Sequence, residues 1–156
     1  MDRREMLGVL GVGATGLAAL GATSALASQG KLIDAERRLR GGHFEMAQLT
    51  AKACTDCLNE CNGAFHHCFT QVGTGNKEYA DALRLCVDCA ELCGSTAALC
   101  GRVSPLLGFA CEACAKCCEA CIVECEKLKD SEMANCIESC RKCAKACRDM
   151  AKAHGL

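Results

Sequence analysis

Cysteine recurs along this chain at helical intervals, and that spacing restricts the fold more than any other property of the sequence. In the stretch Cys111–Cys125 it falls at Cys111, Cys114, Cys118, Cys121 and Cys125. Steps of three and four residues stack all five thiols on one face of a helix. Cys117 lies beside that stripe. The face that normally carries Leu, Ile and Val toward a neighbouring helix carries sulfur instead. Two earlier segments share one spacing of three, four and seven: Cys54, Cys57, Cys61, Cys68 and then Cys86, Cys89, Cys93, Cys100. This internal repeat puts the same thiol ladder on two successive helices. A fourth ladder holds Cys136, Cys140, Cys143 and Cys147, and the same count reaches Met133 at one end and Met150 and His154 at the other.

The punctuation between ladders fixes the order of helices. The first runs from His43 to Val72 and ends at Gly73-Thr74-Gly75, with Asn76 placed to cap the second. The second reaches about Val103, where Ser104-Pro105 supplies an N-cap followed by Pro at the first helical position. The third ends near Leu128, and Asp130 or Ser131 caps the fourth. Short connections make neighbours antiparallel, so residues 43–156 are expected to form an all-α, up-down-up-down four-helix bundle with a cysteine-lined core. Glu112, Lys116, Glu119, Glu124 and Lys127 fall off the third stripe and mark its outside. A formal net charge of −1 and only four Phe, one Tyr and no Trp leave no basis for nucleic-acid binding.

The N-terminus is of a different kind. Asp2-Arg3-Arg4-Glu5-Met6-Leu7 resembles a twin-arginine export motif, an uncharged Gly- and Ala-rich run follows, and Ala25-Leu26-Ala27 has the small residues a signal peptidase reads. Residues 1–27 are therefore expected to be a cleaved signal peptide, giving a periplasmic protein without a membrane anchor; the many glycines make the run a weak membrane span. Residues 28–42, with Arg37, Arg38 and Arg40, are expected to be a polar arm, either a short helix or a linker. The twin-arginine route resembles a carrier of folded cargo, so export here does not by itself imply disulfides.

The chemistry follows from what eighteen cysteines can do. Thiols at i and i+3 or i+4 on one helix would close strained disulfide loops, and facing helices lie about 8–10 Å apart. Cysteine can serve as a small buried hydrophobe, but a core of Cys, Ala and Gly is under-filled compared with one of Leu and Ile and leaves space for something heavy. Soft thiolates select Cu(I), Zn(II) or iron–sulfur clusters. Structural zinc takes paired hooks from loops, and four thiolates around Zn(II) leave two negative charges, which is costly when repeated in a dry interior. One Cu(I) per thiolate leaves no charge, and the pairs Cys57/Cys61, Cys89/Cys93, Cys114/Cys118, Cys117/Cys121, Cys121/Cys125, Cys136/Cys140 and Cys143/Cys147 suit its low coordination numbers. Iron–sulfur runs usually close on Cys-Pro, and the single Pro is Pro105. Multiple Cu(I) ions are the expected ligand; a zinc- or cadmium-buffering, metallothionein-like protein and an iron–sulfur redox protein are the alternatives. No nucleophile with a base and orienting group, no phosphate loop and no inward carboxylate pair points to an enzyme.

With these residues in view, the twin-arginine leader, the C-x2-C-x3-C ladders on helical hairpins and the inward thiols resemble the exported bacterial copper storage proteins over essentially the whole chain. The resemblance implies a homo-oligomeric bundle, often a tetramer, that holds many Cu(I) ions as thiolate sites and supplies a copper enzyme or a chaperone. Cys117 departs from the simplest ladder, either pairing with Cys121 or facing a neighbouring helix. In an antiparallel bundle His43, Met46, Met150 and His154 converge on one mouth, where softer, weaker donors could pass Cu(I) inward. Met133 lies at the opposite end as a terminal ligand or a core plug. His66 and His67 are expected on the solvated surface.

Overall fold

A computed structural model describes the backbone of residues 22–156 and the side chains of residues 41–156. The Arg3-Arg4 motif and most of the expected leader lie outside the described residues. Four helices follow one another: α1 (Ala22–Gly73), α2 (Ala80–Gly101), α3 (Leu107–Lys127) and α4 (Ala134–Ala153), with 3-10 turns at Lys77–Tyr79 and Ser131–Met133. There is no strand among the described residues. The all-α expectation holds. The chain divides into two units, Met1–Arg38 and Leu39–Leu156, and the second contains every cysteine.

The first helix starts well before His43, so residues 28–42 are helical rather than a linker. That stretch lacks Pro and is rich in Lys, Leu, Ala, Glu and Arg, all good helix formers, and Gly41-Gly42 costs about 1 kcal/mol per Gly without breaking the hydrogen-bond ladder.

Sulfur contacts fix the directions of the helices. Cys54 near the start of the bundle portion of α1 meets Cys147 near the end of α4, while Cys68 near the end of α1 meets Met133 ahead of α4. Cys93 faces Cys114 and Cys86 faces Cys121 across α2 and α3. The bundle is antiparallel throughout, as the short connections required. The interior positions keep a strict three-four rhythm, Ala64 and Thr96 filling the seven-residue gaps of the first two ladders. A 3.5-residue repeat of this kind draws helices into a left-handed supercoil. Leu107, Met133 and Met150 are the largest fully buried side chains; the rest of the interior is mostly Cys and Ala.

The helix ends depart from expectation in instructive ways. Asn76 does not cap the second helix; its side-chain amide donates to Gln71 Oε1 at 2.6 Å, and the chain enters α2 through the 3-10 turn. Ser104 Oγ accepts from the Leu106 amide at 3.3 Å, three residues ahead of where the regular helix begins. Asp130 does cap, its Oδ1 accepting from the Glu132 amide at 3.0 Å. At the end of α1 the Asn76 amide bonds Gln71 O and the Gly75 amide bonds Val72 O, with Gly75 at φ +101°. The end of α2 repeats this Schellman geometry with Ser104 to Leu99 O and Val103 to Cys100 O. There the left-handed position is taken by Val103 at φ +47°. A β-branched residue is strained in that region.

Charged side chains tie the outer faces of α3 and α4, where Glu126 receives Arg141 at 2.5 Å and Glu119 pairs with Arg148. Among the described residues no helix is long and apolar enough to cross a membrane.

Candidate metal-thiolate core

All eighteen cysteines are free thiols, and all but the half-buried Cys117 are buried. The ladders bring fourteen of them into five tetrads, within each of which every sulfur lies within 4.8 Å of the others. From the His43 end these are Cys54/Cys114/Cys143/Cys147, Cys57/Cys93/Cys118/Cys143, Cys57/Cys61/Cys89/Cys140, Cys61/Cys121/Cys136/Cys140 and Cys86/Cys121/Cys125/Cys136. Each tetrad draws on at least three helices. Four of the same-helix pairs named from sequence fall inside a tetrad, whereas Cys89/Cys93, Cys114/Cys118 and Cys117/Cys121 do not share one. Neighbouring tetrads share sulfur: Cys143, then Cys57, then Cys61 with Cys140, then Cys121 with Cys136. The five clusters are one continuous column.

The spacing within the column suits a soft ion. Cys57–Cys140 is 3.5 Å, Cys89–Cys118 and Cys93–Cys114 are 3.6 Å, and Cys61–Cys136 is 3.8 Å. A metal–sulfur bond of about 2.3 Å, the zinc value, separates the sulfurs of a trigonal ion by about 4.0 Å and of a tetrahedral ion by about 3.8 Å. An ion can therefore enter with movements of a few tenths of an ångström.

The thiols also share protons. In the central tetrad Cys57 and Cys89 are held below the usual thiol range, chiefly through Cys118 and Cys117 respectively, and Cys61 and Cys140 are pushed above it, chiefly through Cys121 and Cys118. At the mouth end the Cys100 thiol, with Cys147, lowers Cys111 to about 4, while Cys100 is itself pushed up by Cys111 and by burial. A dry column cannot carry a thiolate at every position, because bare buried charge is too costly. Exchanging each proton for one Cu(I) leaves the charge of the column unchanged.

Four cysteines lie outside the tetrads. Cys100, near the end of α2, and Cys111, near the start of α3, are buried at the mouth end and shift one another's thiols. Cys68 lies 3.9 Å from Met133 Sδ at the far end. Cys117 is half-buried, and Cys89 on α2 acts on its thiol more than Cys121 on its own helix does, pushing it above the usual range.

At the mouth the His43 and His154 rings meet edge to face at 5.8 Å, with His43 half-buried and His154 exposed. Met150 is fully buried beneath them, whereas Met46 is 37 % exposed. A cavity of about 580 Å³ lined by Phe44, Arg102, Val103, Ser104, Pro105 and His154 opens here.

The far end holds a group that the spacing did not flag. His67 is half-buried rather than solvated: its Nε2 lies 2.7 Å from Asp130 Oδ2, which also accepts from the Tyr79 hydroxyl at 2.9 Å. The Glu132 amide and then His67 hold the Asp130 carboxyl below its usual range. The only sequence signal was the placement of His67 next to an inward cysteine. His66 is exposed, as expected.

A helical bundle whose interior is a continuous column of thiols belongs to the soft-metal-binding proteins. Residues 44–152 match the sequence model of the copper storage protein family, and the chain belongs to that family. Copper storage protein 3 from Bacillus subtilis, in its apo form, is 31% identical with a TM-score of 0.60 over 67% of this chain and 98% of that one. A Cu(I)-bound copper storage protein matches at 31% identity and a TM-score of 0.64, over 68% of this chain and 98% of that one. A protein from Nitrosospira multiformis matches at 33% identity and 0.61, over 69% and 96%. No curated protein matches.

Proposed function

We propose that this protein stores Cu(I), taking up many ions as thiolate sites along the column of tetrads and holding copper for later supply. The observation that carries the reading is the sharing of cysteines between successive tetrads, which suits bridging thiolates and a chain of monovalent ions. Separate tetrahedral zinc sites take four ligands each, whereas fourteen cysteines serve all five tetrads, so five zinc ions could not each keep a set of its own. Anaerobic titration of the reduced apo-protein with Cu(I) against a competing chelator tests the proposal. Uptake should continue to at least about half the thiols, with about one proton released per ion. Saturation after one or two ions, or preference for Zn(II) over Cu(I), would overturn it, and a coloured product would favour iron–sulfur chemistry.

The same proposal covers where and with what the protein works. Arg3-Arg4 and Ala25-Leu26-Ala27 support export by the twin-arginine route with cleavage after Ala27, a mature chain of arm and bundle, and a periplasmic location. Exposed Leu49, Phe69, Leu106, Phe109 and Val123 offer apolar surface for a homotetramer. His43, Met46 and Met150 pass copper between the mouth and the column, and a copper enzyme or a chaperone receives it. The role is storage and not catalysis.

A further inference from the structure

The α4 ladder is cysteine along the column and methionine at both ends. Met133 and Met150 hold its two terminal inward positions and are fully buried. Met150 lies at the mouth described above. Met133 sits at the opposite end, beyond the last tetrad.

The surroundings of Met133 are those of a ligand. Its Sδ is 3.9 Å from Cys68 Sγ, close to the separation of about 4.0 Å between two sulfurs on one trigonal ion at a metal–sulfur bond of about 2.3 Å. Among its neighbours Cys86 acts most on the Cys68 thiol, holding it below the usual thiol range. Cys86 belongs to the last tetrad, with Cys121, Cys125 and Cys136. Cys86 can therefore bridge an ion in that tetrad to one further ion outside it. The Cys68–Met133 pair thus stands next to the last tetrad, with Cys86 the thiol of that tetrad that acts on it.

The segments are tied by a single carboxylate. Asp130 receives His67, the neighbour of Cys68; Tyr79, about two turns ahead of Cys86; and the Glu132 amide, the neighbour of Met133. Each partner belongs to a segment that bears one of the three sulfurs. The Asp130 network thus ties these three segments together without using any of the sulfurs.

Charge explains why the ladder ends in methionine. Along the column each Cu(I) neutralises one thiolate. A cysteine at the terminal position would add a thiolate with no further ion beyond it, and an unpaired buried charge is costly. A thioether completes the coordination of the last ion and adds no charge.

We propose that Cys68, Cys86 and Met133 hold one Cu(I) ion in a mixed thiolate–thioether site at the end of the bundle opposite His43 and His154. The inference rests on Cu(I) as the stored ion and extends the column by one site. It is tested on the full chain made with selenomethionine and carrying Met46→Leu and Met150→Leu, loaded to saturation with Cu(I) and measured by X-ray absorption at the selenium edge. The expected result is a copper–selenium bond at one selenium per chain, lost when Met133→Leu is added. If Met150→Leu does not fold, the difference between selenomethionine protein with all its methionines and its Met133→Leu variant gives the same reading. A saturated protein with copper–sulfur bonds but no copper–selenium bond attributable to Met133 overturns the inference and makes Met133 a core plug. Failure to take up multiple Cu(I) ions at all would instead overturn the storage reading.

Discussion

Filling the column should raise the unfolding temperature by tens of degrees. Three of the five tetrads have no member in common: Cys54/Cys114/Cys143/Cys147, Cys57/Cys61/Cys89/Cys140 and Cys86/Cys121/Cys125/Cys136. A site held at a free-ion concentration of 100 times its Kd contributes about 2.7 kcal/mol when the unfolded chain does not bind, so these three tetrads with one ion each contribute about 8 kcal/mol. That is comparable to the whole stability of a typical domain, about 5–15 kcal/mol. At roughly 4 °C per kcal/mol for a domain of this size, the midpoint should rise by about 30 °C. The assay is calorimetry of apo and Cu(I)-loaded protein, anaerobic and at matched reductant, with copper buffered by a chelator. Unfolded thiolates also bind Cu(I), which lowers the shift but cannot match a column that places four sulfurs together. A rise under about 5 °C at saturation would show that the ions do not use the convergence of the helices, and the inter-helix sites would have to be abandoned.

Other outcomes follow from particular residues. Replacing His43, Met46 and Met150 with apolar residues should slow loading or removal of Cu(I), with little loss of thiolate-bound capacity; unchanged transfer rates in stopped-flow measurements would remove the mouth as the path. Asp130→Asn should destabilise the protein at neutral pH. The folded-state pKa of Asp130 is depressed, so its contribution is complete above the unfolded value of about 3.9 and fades as pH falls through the lower folded value. Denaturation curves of the two proteins should accordingly converge in acid, and a gap independent of pH would refute the carboxylate's role. Val103→Gly should stabilise the apo-protein by about 0.5–1 kcal/mol, since relief of about 1–2 kcal/mol of left-handed strain exceeds the entropy cost of Gly; a lower midpoint in urea would contradict the strain at φ +47°.

The inward ladders were legible because the three-four rhythm is a local property. A helix converts it directly into a face, and the packing of four such faces follows from the short connections. The composition of the tetrads was not legible in that way. Cys57, Cys93, Cys118 and Cys143 meet only because four separate helices settle into one register. The same applies to Cys117, whose place beside Cys118 said nothing of Cys89 being the thiol that acts on it most. His67, Tyr79 and Asp130 come from three distant segments, and only the folded chain brings them together. Asn76 satisfied the pattern for a cap, yet the nearby Gln71 side chain was the available partner.

The sharing of cysteines between tetrads has a kinetic side. An ion moving from one tetrad to the next need release only some of its sulfurs, since Cys143, Cys57, Cys61, Cys140, Cys121 or Cys136 already belongs to both places. Transport through the interior becomes a series of small ligand exchanges, each begun before the previous one is complete. Stored copper should then behave as a queue, in which ions deep in the bundle advance by displacement along the line.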